Sequence, residues 1–471
     1  MCNTQRRRER RVRDVVASGL VTSCALMVFQ IAGGASASAQ TASQAPRQDR
    51  VVLGELYSQV QRANPRATAA RALTAAATAR VPGTTRPPDP QLQLGFMNYT
   101  LPGLAPMPAL GMTQLQLMQM LPLGGKLALS GRVAGAQASA TGARAQDVAW
   151  DVRTQTAMAF YDLYATDRGL DVARETLRLL QDIAKTAEAM YRVGEGRQAD
   201  VLRANVEIAK MAEDTLRMQA MRESMVARLN ALLDRDAAVG VGTPALPRFP
   251  DSIPARARLD SIAFGERPMI RAGLDEVSAA DASARLARKE IIPDLVVGVQ
   301  YAQRGGEMGS TERMGSLMLG ASLPVFARDR QFKMREEAAA MKQMAQADLA
   351  AMRAETRGRI GEAYAALTRA RSLARLYTTT VLPQAEATVA SALAAYRVGS
   401  VDFMTLLDDR MTVNKYRQEL YVLEADQGKA WAELEMLTGR ELIDANTTRN
   451  QIGAETAPTR SNAPQQDGGV K

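Results

Sequence analysis

The chain has 471 residues, of which 46% are hydrophobic and 4% aromatic, and its formal net charge is +9. It contains no histidine, which excludes Ser-His-Asp and Cys-His nucleophilic sites, histidine general bases and histidine metal ligands. No dense Lys/Arg block is interleaved with aromatic residues, so nucleic-acid binding is disfavoured. No pair of titratable residues stands at a motif-like spacing, and no Gly-rich phosphate loop follows a strand. The sequence therefore predicts neither an enzyme nor a resident metal or cofactor.

Residues 1–39 are predicted to be a secretory signal peptide. Six arginines lie in the first 13 residues, an apolar run follows from Val15, and Ala37-Ser38-Ala39 matches a cleavage site. Two alternatives stay open: an uncleaved transmembrane anchor, and a lipoprotein signal in which Cys24 is lipidated. No later stretch of about 18 apolar residues occurs, so no transmembrane helix is predicted after residue 39.

The rest of the chain is an internal duplication. Tyr191-Arg192-Val193-Gly194 recurs as Tyr396-Arg397-Val398-Gly399, and Pro88-Asp89 recurs as Pro293-Asp294, both at an offset of 205 residues. Further pairs follow in the same order at nearly the same offset. We therefore predict two repeats, 40–250 and 251–442, followed by a polar tail over 443–471 that is predicted to be disordered.

Each repeat has the same predicted order of elements. An Ala-rich helix comes first, from Leu53 to about Val81 and from Met269 to about Ile291. Two strand-like runs with alternating apolar residues follow, within 91–121 in the first repeat and 294–323 in the second, each about as long as a transmembrane strand of ~9–11 residues. A long helical hairpin then closes each repeat, over about 127–235 and 330–440, with Pro383 interrupting the first arm of the second.

Closure of these strands requires more than one chain. Four strands cannot form a closed barrel, and open strand edges are not tolerated in lipid. Three copies supply twelve strands and twelve helical arms, which suits a pore. The predicted fold is thus mainly α with a small β part: a trimer with a 12-stranded outer-membrane β-barrel and an α-helical barrel in the periplasm.

At this point the chain resembles the TolC-like outer-membrane efflux channels, from about Val51 to Ile443. The resemblance rests on the Tyr-x-Val-Gly hairpin tips, on Val381-Leu382-Pro383-Gln384-Ala385, and on Leu434-x-x-Leu437-Thr438-Gly439. It implies a homotrimer that lies in outer-membrane lipid, docks onto a periplasmic adaptor and an inner-membrane RND-type pump, and conducts substrates passively.

A narrower resemblance concerns the heavy-metal efflux branch, which handles copper and silver or cobalt, zinc and cadmium. Its residues are Met97-Asn98, Met112-Thr113-Gln114 and the segment Gln119 to Leu127. That branch usually has an aromatic residue or proline before the Gly-Lys pair, where this chain has Gly124. The methionines of this region are open to two interpretations: thioether ligands for Cu(I) or Ag(I), or ordinary packing residues.

The resemblance also assigns candidate site residues. The adaptor-docking tips correspond to Val193, Gly194 and Glu195 and to Val398, Gly399 and Ser400. The gate corresponds to Tyr396 and Asp200; the family's supporting arginine is replaced by Val401. Asp200 and Asp408 would ring the mouth of a trimeric helical barrel and favour cations. For each of these, a plain turn or a solvated surface charge is the alternative interpretation.

Other functions compete with the efflux channel. A periplasmic coiled-coil scaffold or adaptor explains the helices but not the four strand-like runs. An outer-membrane channel for type I protein secretion explains both. Within the efflux prediction, metal ions and small toxic compounds both remain open as cargo.

Overall fold

A computed structural model describes residues 50–103, 105–107, 110–305 and 310–443. The predicted signal peptide, Cys24 and the predicted tail beyond residue 443 lie outside the described residues. The helices of the described ranges are α1 Leu53–Ala63, α2 Pro65–Thr84, α3 Lys126–Arg192, α4 Gln198–Leu232, α5 Arg256–Glu266, α6 Pro268–Lys289, α7 Gln331–Leu376, α8 Leu382–Arg397 and α9 Phe403–Thr438. The strands are β1 Arg50–Val51, β2 Gln91–Met97, β3 Tyr99–Thr100, β4 Ala105–Pro106, β5 Met112–Leu121, β6 Thr243–Pro244, β7 Leu295–Gly305 and β8 Thr311–Ala321.

The predicted first helix of the first repeat is broken in two. Asn64 ends α1 with φ −64° and ψ 122°, and α2 begins at Pro65, which lacks an amide hydrogen and disfavours helical geometry in the residue before it. The prediction of one continuous helix from Leu53 to about Val81 was therefore wrong. In the second repeat the predicted helix from Met269 corresponds to α6, and a like break at Arg267, with φ −60° and ψ 122°, separates it from α5, which was not predicted.

The long helices follow the predicted hairpins closely. α3 alone has 67 residues, about 100 Å at 1.5 Å per residue, and α4 returns alongside it. In the second repeat the helix does not stop at Pro383. It passes through a π-helical turn, Tyr377–Val381, and continues as α8. A proline cannot donate to the carbonyl four residues earlier, and the wider π turn accommodates that missing bond.

Four strands form one antiparallel sheet in the order β2-β5-β7-β8. Its register pairs Leu92 with Leu117, Leu117 with Val299, and Val299 with Leu317. The first and third of these pairings lie within a repeat, and the second joins the two repeats. The sheet is therefore one surface made jointly by both halves of the duplication.

The first strand-like run of the first repeat is divided in the structure. β2 ends at Met97, because Asn98 adopts a left-handed conformation at φ 55°, which asparagine tolerates better than most residues. Tyr99 and Thr100 then pair with β4 in a separate small hairpin. In the second repeat β8 begins at Thr311, because the β7–β8 ladder extends through Arg304 and Glu312, whose side chains bond at 2.6 Å.

The buried core follows the seams between the long helices. One cluster joins α1, α3, α4 and α9 around Phe160, Tyr161 and Leu229. A second lies toward the hairpin ends around Leu180, Met211 and Phe403. A third packs Trp431, Leu434 and Leu437 of α9 against α5 and α7. The residues of α9 that line these seams include Leu423, Gly428, Ala430, Leu434 and Leu437, all of which are buried.

Candidate functional site

The two hairpin tips have the same backbone geometry. Gly194 and Gly399 take φ of 82° and 71°, in the left-handed region that glycine adopts without strain. Gly194 N donates to Tyr191 O at 3.1 Å, and Gly399 N donates to Tyr396 O at 3.0 Å. Each glycine thus ends one long helix and lets the chain reverse into the next.

Both tips present an apolar side chain to solvent. Val193 is 71% exposed and Val398 79% exposed, and the neighbouring Glu195 and Ser400 are exposed as well. Ser400 N donates to Ala395 O at 3.0 Å, which matches the bond from Glu195 N to Met190 O at 3.0 Å. The six predicted tip residues therefore occupy equivalent, accessible turns, one on each hairpin.

An acid at the second tip was missed by the sequence analysis. Asp402 caps α9, and its Oδ1 accepts from Thr405 N at 3.1 Å and from Thr405 Oγ1 at 2.5 Å. The hydrogen bonds from Thr405 hold the pKa of this carboxyl below its usual value. Aspartate is one of the residues preferred at the N-cap of a helix, so the sequence carried the information.

Tyr396 lies inside the tip of the second hairpin and not on its surface. It is 7% exposed and packs edge-to-face on Phe403, with ring centroids 5.9 Å apart. Burial, and secondarily the negative charge of Asp200, raise the pKa of the Tyr396 phenol. Among the described residues no hydrogen bond joins the Tyr396 hydroxyl to Asp200. The two residues that the resemblance assigns to the gate are therefore close enough to interact electrostatically, without a hydrogen bond between them in the described part of the chain.

The two predicted mouth acids have different surroundings. Asp200 is partly buried in the first turn of α4, where a negative charge is stabilised by the helix dipole. Asp408 is exposed on α9, and its backbone carbonyl accepts from Thr412 Oγ1 at 2.8 Å. The side chain of Asp200 is thus partly shielded from solvent, whereas that of Asp408 is accessible to it.

The four-stranded sheet has two chemically different faces. Every exposed leucine, valine and aromatic residue of its central rows lies on one face, because directly paired residues point the same way. These residues are Leu92, Leu94, Phe96, Leu115, Leu117, Val299, Tyr301, Leu317 and Leu319. The opposite face carries the polar residues Gln91, Gln93, Gln114, Gln116, Gln300 and Ser316, together with the methionines Met97, Met112, Met118, Met120, Met314 and Met318.

A buried lysine joins the helices to the sheet. Lys126, the first residue of α3, donates to Asp294 Oδ1 at 2.8 Å, and its ammonium lies 3.6 Å from Glu290 Oε2. The two preceding glycines, Gly124 and Gly125, take φ of 74° and 77°. The glycine at 124, where the heavy-metal branch has another residue, is explained by this left-handed turn and by Ile292, whose Cδ1 lies 2.5 Å from where a Cβ would stand.

Within the described ranges, no helix is both long and apolar enough to cross a membrane. In the same ranges, no group of three or more histidine, cysteine, aspartate or glutamate side chains is placed to hold a metal ion.

Comparison with known proteins gives a family match and a fold. Residues 260–440 match the family model of outer membrane efflux proteins. No curated protein matches the sequence. The solved structure of CusC aligns with a TM-score of 0.72 at 18% identity, covering 83% of this chain and 93% of CusC.

Two further solved structures agree. The outer membrane protein VceC from Vibrio cholerae aligns with a TM-score of 0.70 at 17% identity, over 82% of this chain and 96% of VceC. The MtrE outer membrane channel of Neisseria gonorrhoeae, in its open state, gives 0.70 at 16% identity, over 83% and 89%. At these identities the structural likeness establishes the fold. The chain therefore has the fold of these outer membrane channels, and its residues 260–440 are similar to the outer membrane efflux protein family.

Proposed function

We propose that this protein is an outer membrane efflux protein, one subunit of a homotrimeric channel that conducts solutes passively out of the periplasm. The observation that carries the proposal is the sheet, which has one apolar, exposed face, one polar face and two open edges. β2 and β8 are the outermost strands, so each has an edge without a partner strand among the described residues.

The open edges favour assembly with other copies. In lipid each unpaired N–H or C=O costs several kcal/mol, so a sheet of four strands is stable there only when its edges are paired. A second copy can pair its β2 with the free edge of β8, and three copies close twelve strands. The apolar face would then meet lipid and the polar face would line the pore.

The helices support the same assembly. α4 exposes Leu202, Val206 and Leu216, and α7 exposes Met334, Met341 and Met344. In a lone chain these side chains would leave an apolar surface in water. Neighbouring copies in a helical barrel would cover them.

We assign the two tips to docking on a periplasmic adaptor that couples the channel to an inner-membrane RND-type pump. The supporting features are the exposed Val193 and Val398 on two equivalent turns.

We assign Tyr396 and Asp200 to closure of the channel and Asp408 to cation preference at its mouth. The proximity of Asp200 to Tyr396 supports the first assignment, and the exposure of Asp408 supports the second.

A matched pair of neighbouring residues tests the channel. Leu317 lies on the apolar face and Ser316 on the polar face of the same strand. Leu317→Arg should abolish insertion into outer membranes, since a charge facing lipid costs about 2–4 kcal/mol at mid-membrane. Ser316→Arg should still insert and should alter single-channel conductance in planar bilayers. A periplasmic scaffold, the alternative function, would tolerate both substitutions equally and would give no conductance.

The cargo we propose is metal ions or small toxic compounds, on the basis of the segment from Gln119 to Leu127 that resembles the heavy-metal branch. A channel for type I protein secretion is the alternative. Resistance assays in a strain that lacks its own channel would separate them, because efflux should restore growth on metals or drugs. Restored secretion of a protein, without restored resistance, would favour the alternative.

A further inference from the structure

Two methionines from different repeats meet on the polar face of the sheet. In the ladder, Met118 of β5 is paired with Gly298 of β7, and Gly298 is paired with Met318 of β8. Met118 Cγ and Met318 Cε lie 3.3 Å and 3.4 Å from the position that a Cβ would occupy at residue 298. Both side chains therefore lie next to Gly298, in the space that a side chain at this position would occupy.

These thioethers lie between a polar row and the row of Met120 and Val296 on the same face of the sheet. The next row on the same face holds Gln116, Gln300 and Ser316, and Gln116 Nε2 lies 3.8 Å from Met318 Sδ. Met120, two residues along β5 on the same face, is 44% exposed and stands about 6.8 Å further along the strand. The leucines and aromatic residues that would pack ordinary core methionines lie on the opposite face.

We propose that Met118 and Met318, with Met120 beside them, form a transfer site for a soft monovalent cation, Cu(I) or Ag(I). Thioether sulfur prefers such ions over hard cations, which prefer oxygen ligands. The proposed donors carry no charge, so binding would be weak enough for the ion to leave, as conduction requires. The inference rests on the proposed channel, in which this face lines the pore, and it specifies the cargo of that channel.

The composition of the chain makes the site measurable. There is no histidine, and the two cysteines, Cys2 and Cys24, can be blocked with N-ethylmaleimide before the measurement. The probe is Ag(I), titrated in chloride-free buffer into the protein extracted in detergent and labelled with ¹³C at its methionine methyl groups. Replacing methionine by leucine conserves volume, so Met118→Leu/Met318→Leu should fold and assemble normally.

The methyl resonances of Met118 and Met318 are assigned by their disappearance in Met118→Leu and Met318→Leu. We expect Ag(I) to shift these two resonances in the wild type. We also expect the tightest Ag(I) site of the double variant to bind about tenfold more weakly than that of the wild type. The matched control is Met341→Leu/Met344→Leu, which alters exposed methionines on α7 and should leave that affinity unchanged. Unshifted Met118 and Met318 resonances, or equal affinity in the double variant and the wild type, would overturn the proposal.

Conductance separates this inference from the channel itself. Wild type and the double variant should conduct K⁺ equally in planar bilayers, because neither methionine closes the pore. Normal conductance with no Ag(I) effect at Met118 and Met318 would overturn the metal site and leave the channel standing. An absence of conductance in the wild type would overturn the channel, and with it the premise of the site.

Discussion

Gly428 of α9 lies directly against the ring of Tyr161 in α3, so closely that a Cβ at residue 428 would overlap the aromatic ring. Tyr161 is fully buried, and its ring also packs edge-to-face on Phe160 with centroids 5.4 Å apart. The glycine therefore sets how closely the hairpins of the two repeats approach each other. This contact spans 267 residues of sequence, between the first repeat and the second.

We predict that Gly428→Ala destabilises the protein by about 1–3 kcal/mol, since overpacking a close helix contact forces backbone or side-chain shifts. The measurement is the thermal melting temperature of the detergent-extracted protein. Gly358→Ala is the matched control, because Gly358 lies in α7 with open space around its Cβ position, and alanine favours helix there. Equal melting temperatures for the two variants would show that the contact does not constrain the helices.

At Gly399, in the second hairpin tip, a substitution should preserve function only if the new residue can adopt left-handed backbone angles. Gly399→Pro should abolish export without preventing membrane insertion, because proline fixes φ near −65° and the tip requires 71°. Gly399→Asn should retain export, since asparagine visits the left-handed region. The assay is drug or metal resistance together with the amount of protein in outer membranes. Normal export by the proline variant would contradict the docking assignment.

We predict that Tyr396→Phe combined with Asp200→Ala gives a leakier pore. The two changes remove the polar groups assigned to closure and leave the packing of Tyr396 on Phe403 largely intact. Single-channel recordings should show a higher basal conductance than in the wild type. Tyr191→Phe combined with Asp409→Ala, the equivalent tyrosine of the first tip and a neighbouring acid, should leave conductance unchanged. If both double variants conduct like the wild type, Tyr396 and Asp200 do not form the gate.

A buried carboxyl group should make stability depend on pH. Glu435 is 3% exposed beside Arg153, and it accepts from Leu442 N and Ile443 N, both at 2.8 Å. Burial raises the pKa of Glu435, although Arg153 and the two amide groups act in the opposite direction. The folded protein therefore binds this proton more readily than the unfolded chain, and stability is lost as pH rises through the folded pKa.

Glu435→Gln should remove that contribution. We expect the melting temperature of the wild type, relative to the variant, to rise as pH is lowered from about 7.5 toward the unfolded pKa of about 4.3. The measurement is a series of melting curves for both proteins across this range. Parallel pH profiles would mean that the pKa of Glu435 is the same in the folded protein and in the unfolded chain.

Local signals in the sequence predicted the parts of the fold that depend on neighbouring residues. Gly194 and Gly399 were correctly placed at hairpin ends, because a left-handed angle after Tyr-Arg-Val is a local requirement. The alternation from Leu92 to Phe96 correctly predicted the apolar face of a strand. The helix break at Asn64 was not predicted, although Pro65 is a signal for it. The alanines on either side favour one continuous helix.

Contacts between residues far apart in the chain could not be predicted from the sequence. Nothing in the separate environments of Lys126 and Asp294 indicates that they bond at 2.8 Å. The meeting of Met118 and Met318 depends on the register by which the second strand of one repeat pairs with the first strand of the next. Hydrophobic patterns reveal which face of a strand is apolar, but not which strands are neighbours.

The number of chains in the native particle tests the central claim most directly. The measurement is native mass spectrometry of the protein extracted from outer membranes in mild detergent. A particle of three identical chains is predicted, because three copies of the four-stranded sheet supply the twelve strands that pair all open edges. A monomer or dimer that remains in solution without detergent would contradict the channel and would favour the periplasmic scaffold.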